Sequence, residues 1–356
     1  MMKKYLILIT LFLSHNFISA QQSIEYDKIC YCSGNETPHS IISYDNNLEI
    51  LLALKDSLSI QEIEERKIRY TKSQLKLLQL FNLIEKRDKE YYTTINILDT
   101  LQANNLRKDS KEIATLIYPE VKDDIKELVK YLNDSYSSRN EFSILFSYTL
   151  DGLIWDKFEE NNITQPTTSN DHYLTWEGHF WMIPKPRNIK YGTNTSSNKL
   201  TTIYITNGIP WKYLKPFYDN YELTEKLILD INDYGRITDP DVIKTFEKFG
   251  IIDTTGILKV PLIYQDDQNK IYEYANLLAQ KLLNQLIEKV SLDGLVDKYK
   301  FSDTETALII FYHEFMWELM SILEREGIVK KPDILLNPDE CSFKDMADMI
   351  FFVKKE

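Results

Sequence analysis

The sequence predicts a mainly helical protein with small β elements, an α+β chain in which one unit occurs twice. Helix-start signals recur: a Ser or Thr followed three residues on by Glu or Gln stands ahead of apolar stretches with helical spacing. A pattern of one short helix and two strands returns after a shift of 168 residues, and each copy leads into a long amphipathic segment, 109–134 and 267–290. With 43% hydrophobic and 27% charged residues among 356, the chain can bury a core, and its length suggests about two domains.

In chain order, residues 1–20 read as an export signal. Lys3 and Lys4 precede an apolar core, Tyr5 to Phe12, and Ile18-Ser19-Ala20 offers the small residue that a signal peptidase needs. Ser14, His15 and Asn16 stop the apolar run short of the roughly 20 residues of a membrane span. Cleavage after Ala20 and a periplasmic or secreted location are expected, with no spanning segment in the mature chain. The cut removes two lysines and no acid, so the formal charge moves from −12 to −14. Such a surface repels nucleic acid and anionic membranes wherever positive charge is not concentrated.

A tail, 21–45, leads to the first unit, 46–160. Thr71 and Gln74 form a capping box, and Leu75, Leu78 and Phe81 follow at helical spacing. Leu83-Ile84 and Tyr91 to Ile95 read as strands around the polar turn Lys86 to Glu90. The segment 109–134 contains Pro119, expected to kink or split its helix. Ser138-x-x-Glu141 then opens the apolar helix that contains Ser143 to Tyr148, SILFSY.

The second unit, 218–327, repeats this order. Asp239 takes the cap, Pro240 the first helical position, and Ile243, Phe246 and Phe249 the apolar positions. Ile251-Ile252 and Lys259 to Ile263 stand for the strands, and Ser302-x-x-Glu305 opens a helix with ALIIFY from Ala307. Tyr148 and Tyr312 are therefore expected at equivalent positions. Between the units, 161–217 reads as a β-hairpin segment, with strands in HYLTWEGHFWMIP and LTTIYITNG and a long tip between them. The tail, 328–356, ends in an apolar stretch, Met346 to Val353, expected to pack back onto the body.

Over residues 46–96 the first copy resembles winged helix-turn-helix domains. Ser59-x-x-Glu62 caps the helix SIQEIEERK, a turn and the Thr71 helix follow, and LIEKRDKEYYTT takes the place of the wing. In the second copy NDYGRITDPD leaves little room for a separate second helix, so that unit is read as degenerate. The resemblance implies a recognition module, for DNA in many members and for proteins in many others.

Charge bears on that choice. Arg66, Lys67, Arg69, Lys72, Lys76, Lys86, Arg87 and Lys89 stand against Glu85 and Asp88, whereas 236–259 is neutral. This local excess could neutralise phosphates, yet it suits an acidic protein partner equally and an exported chain seldom meets DNA. The binding residues singled out are Lys72, Lys76, Lys86 and Arg87, with an acidic envelope or extracellular protein as partner. Trp176, Trp181 and Tyr191, near Asn188 and Asn194, form a second candidate surface, for protein or glycan.

Catalytic and metal candidates are few. Glu177 and His179 lie in WEGHFW, His313 and Glu314 in FYHEFMWE, and Trp317 occupies the place of the second histidine of an H-E-x-x-H zinc site. His172, His179 and His313 are the candidate metal ligands, and His313, Glu314, Glu177 and His179 the candidate catalytic groups of an envelope hydrolase or metal enzyme. A non-catalytic binding role without a cofactor is the leading expectation, with this enzyme and a DNA-binding protein as the alternatives. Cys30, Cys32 and Cys341 leave one thiol over, and a bridge from the first pair to Cys341 would tie the two ends together.

Overall fold

In the computed structural model, which describes residues 24–33, 37–136, 139–165, 176–187 and 191–355, long helices form the body, and the strands of the described residues make three small sheets. The mixed α+β class predicted from the sequence is the one found. The predicted export signal, His172, Asn188 and Ser138 lie outside the described residues.

The chain begins with β1 (Tyr26–Ser33), α1 (His39–Ser43) and α2 (Asn47–Ala53). β2 (Leu58–Ser59) leads into α3 (Ile60–Glu65), then α4 (Lys72–Leu80), β3 (Ile84–Arg87) and β4 (Glu90–Thr93). The capping boxes predicted at Ser59 and Thr71 are both present. Ser59 and Glu62 exchange backbone bonds at the start of α3, and Thr71 and Gln74 do so at the start of α4. β4 lies between β2 and β3, antiparallel to both. Ile50, Leu51, Leu54, Ile63, Leu75 and Leu78 bury a small core of their own.

After β5 (Asn96–Ile97) comes α5 (Thr100–Ser135), which starts nine residues earlier than expected and runs unbroken through Pro119. Asp99 and Gln102 make the capping box that sets its start. The apolar stripe Ala114, Ile117, Val121, Ile125 continues on both sides of the proline, so packing holds the helix together. Pro119 and Thr115 are exposed, so the carbonyl that the proline leaves without a partner faces water. The next run, α6 (residues 141–160), is π-helical over Ile144–Leu153. Thr149 Oγ1 donates to the Ile144 carbonyl 3.3 Å away, five residues back, and nearly every side chain of this stretch is buried.

β6 (Glu177–Pro184) corrects the expected hairpin. It pairs antiparallel with β1 and parallel with β5, not with the following strand. Alternation along it buries both faces, with Phe180 and Met182 in the small core and Trp181 and Ile183 in the main one. The hairpin that does form joins β7 (Thr193–Asn198) to β8 (Thr201–Thr206) through Lys199 and Leu200.

α7 (Trp211–Asp219) leads into the second unit, which has α8 (Tyr221–Tyr234) and α9 (Pro240–Phe246), with Asp239 capping α9 as expected. Its expected strand pair shrinks to a single bridge, Ile252 to Leu258, and β9 (Leu262–Tyr264) turns away after Pro261. α10 (Lys270–Lys289) and α11 (Leu292–Tyr299) precede α12 (Thr304–Arg325), whose cap is Asp303 instead of Ser302. The Asp303 carboxylate accepts from the Thr306 N–H, while Glu305 is drawn off to the Gln165 N–H. By length and composition α12 could cross a membrane, contrary to expectation, but it lies mostly buried in the main core. After α13 (Asp333–Leu336) the tail does more than pack back, because β10 (Ile350–Lys354) enters its sheet between β8 and β9.

The two halves thus share one plan. β6 has β1 antiparallel on one side and β5 parallel on the other, and β10 has β8 and β9 in the same senses. The helices cross over: α5 of the first half packs on α12 of the second, α10 of the second on α6 of the first, and α5 on α10. Tyr148 and Tyr312 both lie fully buried on the apolar helix of their own half, and the Tyr312 hydroxyl donates to the Leu150 carbonyl at 2.6 Å.

Candidate functional site

The basic face is built by α3, α4 and the β3–β4 hairpin. Leu75, Leu78, Leu83 and Ile84 point into the small core, which turns the intervening residues outward, and all eight basic side chains from Arg66 to Lys89 are exposed. Lys72 and Lys76 lie one turn apart on α4. On the hairpin Lys86 sits 5.5 Å from the Tyr91 ring centroid and Arg87 4.3 Å from that of Tyr92. Glu85 takes up part of this charge, pairing with Arg87 at 3.5 Å and accepting from Tyr92, and the Tyr92 bond leads in holding its carboxyl below the usual range. Beside α4 a groove is lined by Asp45, Asn46, Ile68, Arg69, Tyr70, Thr71 and Gln74, where Gln74 Nε2 donates to Asn46 Oδ1 at 2.9 Å.

The second half offers no such face. Lys226 pairs with Asp239 and Lys259 with Asp253, each at 3.4 Å. Phe343 of the tail packs edge-on against Phe249 at 5.7 Å. The tail also leaves no room for a side chain at Gly250, where a Cβ would stand 2.9 Å from the Lys344 carbonyl oxygen.

The histidine and glutamate candidates do not converge. His313 is enclosed by Trp181, Trp155, Tyr31 and Trp317, with ring centroids 4.9, 5.4, 5.9 and 6.1 Å away, and its Nδ1 bonds the Ile309 carbonyl at 2.7 Å. Burial pushes its pKa down to about 4, which leaves the ring neutral at neutral pH. Half-buried His179 approaches Thr306 Oγ1 at 3.4 Å, and burial lowers its pKa against the opposing pull of Glu305 and Asp303. Glu177 stands at the start of β6, opposite Ser33. Among the described residues no group of three His, Cys, Asp or Glu side chains could hold a metal ion.

Glu314 turns away from His313 into an ion cluster that the sequence reading missed. Its fully buried carboxylate meets Arg187 at 2.6 Å and Arg107 at 3.3 Å. Arg187 also binds Glu318 at 3.0 Å, Arg107 reaches Asp27 at 3.6 Å, and the Arg187 N–H donates to Asp27 Oδ2 at 2.9 Å. Burial acts to lower the pKa of Arg187, but Glu314 and Glu318 outweigh it and hold the guanidinium above its ordinary value. The sequence did carry a signal: Glu314 and Glu318 are two acids four apart on a long, strongly apolar helix, and buried charges need buried partners. The cluster joins β1, α5 and the segment after β6 to α12, and its charges are spent on one another.

The aromatic candidates are core residues, which corrects the expectation of an exposed platform. Trp176, Trp181 and Tyr191 are 7%, 0% and 5% exposed. Trp176 Nε1 donates to the Phe81 carbonyl at 2.8 Å, and Tyr191 packs edge-on against Phe142 and Phe146. Exposed aromatics occur on α7 instead, where Trp211 and Tyr218 stack with centroids 5.4 Å apart.

The cysteines are all free. Cys341 packs against the main core and the other two against the small one, and the bridge between chain ends that the sequence allowed is not formed. Comparison with protein-family models, with curated proteins and with solved structures finds no match for this chain.

Proposed function

We propose that the chain is an exported, non-catalytic binding protein whose first unit, a winged-helix-like module, recognises an acidic protein partner. The observation that carries this reading is the concentration of eight exposed basic side chains on one small unit of a protein with a net charge of −12. The order β2, α3, α4, β3, β4 is in keeping with the resemblance, and the cover that the tail puts over the counterpart in the second half supports choosing the first unit for the partner.

The test uses the mature chain, with poly-glutamate standing in for an acidic protein surface and a DNA duplex as the competing probe. Poly-glutamate should bind at low salt, and the combined change Lys72→Glu, Lys76→Glu, Lys86→Glu and Arg87→Glu should weaken it by about tenfold or more. These exposed sites should cost within about 0.5 kcal/mol each in stability. Duplex binding at physiological salt that falls log-linearly with salt and vanishes in the same variant would put the DNA reading first. A stoichiometric metal ion lost on His179→Ala or His313→Ala would replace the binding reading with a metal-dependent enzyme.

A further inference from the structure

Trp211 and Tyr218 stand on the outer side of α7, whose inner side is held by buried Tyr213, Leu214 and Phe217. Their side chains are 59% and 48% exposed, against 8% or less for the other four tryptophans of the chain. A large aromatic kept out of the core in this way is the informative departure on a protein surface. The two rings stack with centroids 5.4 Å apart and planes within 21° of parallel. Each therefore covers one face of the other, holds it in place and leaves its outer face open.

Asn194, near the start of β7, joins the pair by donating from its Nδ2 to the Tyr218 hydroxyl oxygen at 3.1 Å. That bond leaves the Asn194 Oδ1 as an acceptor and the Tyr218 O–H as a donor, both without a partner among the described residues. The Trp211 indole N–H is open in the same sense. β7 itself reads Thr-Asn-Thr-Ser-Ser-Asn, hydroxyls and amides without a charge, and has β8 as its one neighbour in the sheet. The cations of α7 are answered by acids, Lys212 by Asp339 at 3.2 Å and Lys215 by Asp219 at 2.5 Å.

We propose that Trp211, Tyr218 and Asn194 bind a neutral glycan. One sugar unit lies on the outer face of a ring, and the hydroxyls of that unit and its neighbour bond the polar groups at the ring edges. The chemistry matches on both counts. The C–H bonds on the face of a sugar carry slight positive charge and meet the negative face of an aromatic ring. Each sugar hydroxyl both donates and accepts, so it can use the Tyr218 O–H, the Trp211 N–H and the Asn194 Oδ1 alike.

The surroundings set the class of ligand. An ionic ligand finds no unpaired cation on α7, because Lys212 and Lys215 already have partners. A protein partner needs a broader apolar centre, and exposed Lys212, Lys215 and Asp219 cut the two rings off from one. The site shares no residue with the basic face of the first unit, so it stands or falls independently of the acidic partner proposed there.

The experiment uses the mature chain, with neutral hexasaccharides of glucose, mannose and N-acetylglucosamine as probes and acrylamide as a quencher of tryptophan emission. Because the other four tryptophans are buried, the quenchable emission belongs to Trp211. At least one hexasaccharide should move that emission to shorter wavelength and shield it from acrylamide. By calorimetry Trp211→Ala should weaken binding about tenfold or more. Tyr218→Phe, which keeps the ring, and Asn194→Ala should each weaken it about fivefold, the loss of one hydrogen bond. Absence of shielding by all three hexasaccharides, or binding that survives Trp211→Ala, would overturn the proposal. So would shielding that grows with protein concentration alone, which would give the face to a second copy of the chain.

Discussion

A histidine boxed in by three tryptophans and a tyrosine makes His313 a stability element with a pH signature. Its pKa falls to about 4 in the folded state, against about 6.5 in an unfolded chain. The folded chain therefore favours the neutral ring, and this contribution is full above about pH 6.5 and is lost as pH falls toward 4. A fully developed shift of this size corresponds to about 3 kcal/mol. Urea midpoints measured across that window should fall more steeply in the native chain than in His313→Gln, and parallel curves would show that the ring titrates normally. The neighbouring residue shows where reading a sequence by motif goes astray. His313 and Glu314 looked like a pair, but adjacent helical positions point about 100° apart, and each found its own environment.

Helix α5 sets local propensity against packing, and packing wins. Pro119 removes one ladder bond on the exposed side while the apolar stripe passes it undisturbed. Pro119→Ala should restore the N–H to the Thr115 carbonyl and raise stability by about 2 kcal/mol, read from the urea midpoint. An unchanged or lower midpoint would mean that the helix is shaped around the proline. Elements whose signals are local were legible in the sequence: the Thr71–Gln74 and Ser59–Glu62 boxes, the Asp239 cap and the second amphipathic helix all lie where their residues put them. Partnerships were not. Alternation in β6 marks two faces but names no neighbour, so its pairing with β1, far earlier in the chain, left no trace that a local pattern could reveal. The basic face was legible because exposed charge follows from the apolar positions of its helix. The burial of Trp181 and Tyr191 was not, because either face of a strand can be the inner one.

At the scale of the molecule the halves are held by crossed helices and by the cluster around Glu314. Removing that carboxylate in Glu314→Ala leaves Arg107 and Arg187 facing each other with one fewer acid, and should destabilise the protein by about 3 kcal/mol. Glu314→Gln, which keeps the shape and one acceptor, should cost less, and equal small losses from both would show that the halves do not depend on the cluster. The placing of β10 carries a different consequence, one of timing. Its residues Ile350 to Lys354 form the middle of a sheet whose other strands lie far back along the chain, Ile350 against Ile205 and Phe352 against Leu262. Closing such loops costs chain entropy before any ladder bond can form. That sheet therefore cannot close until the chain has emerged through Lys354, and a ribosome that has delivered everything before that point still holds a half-open molecule.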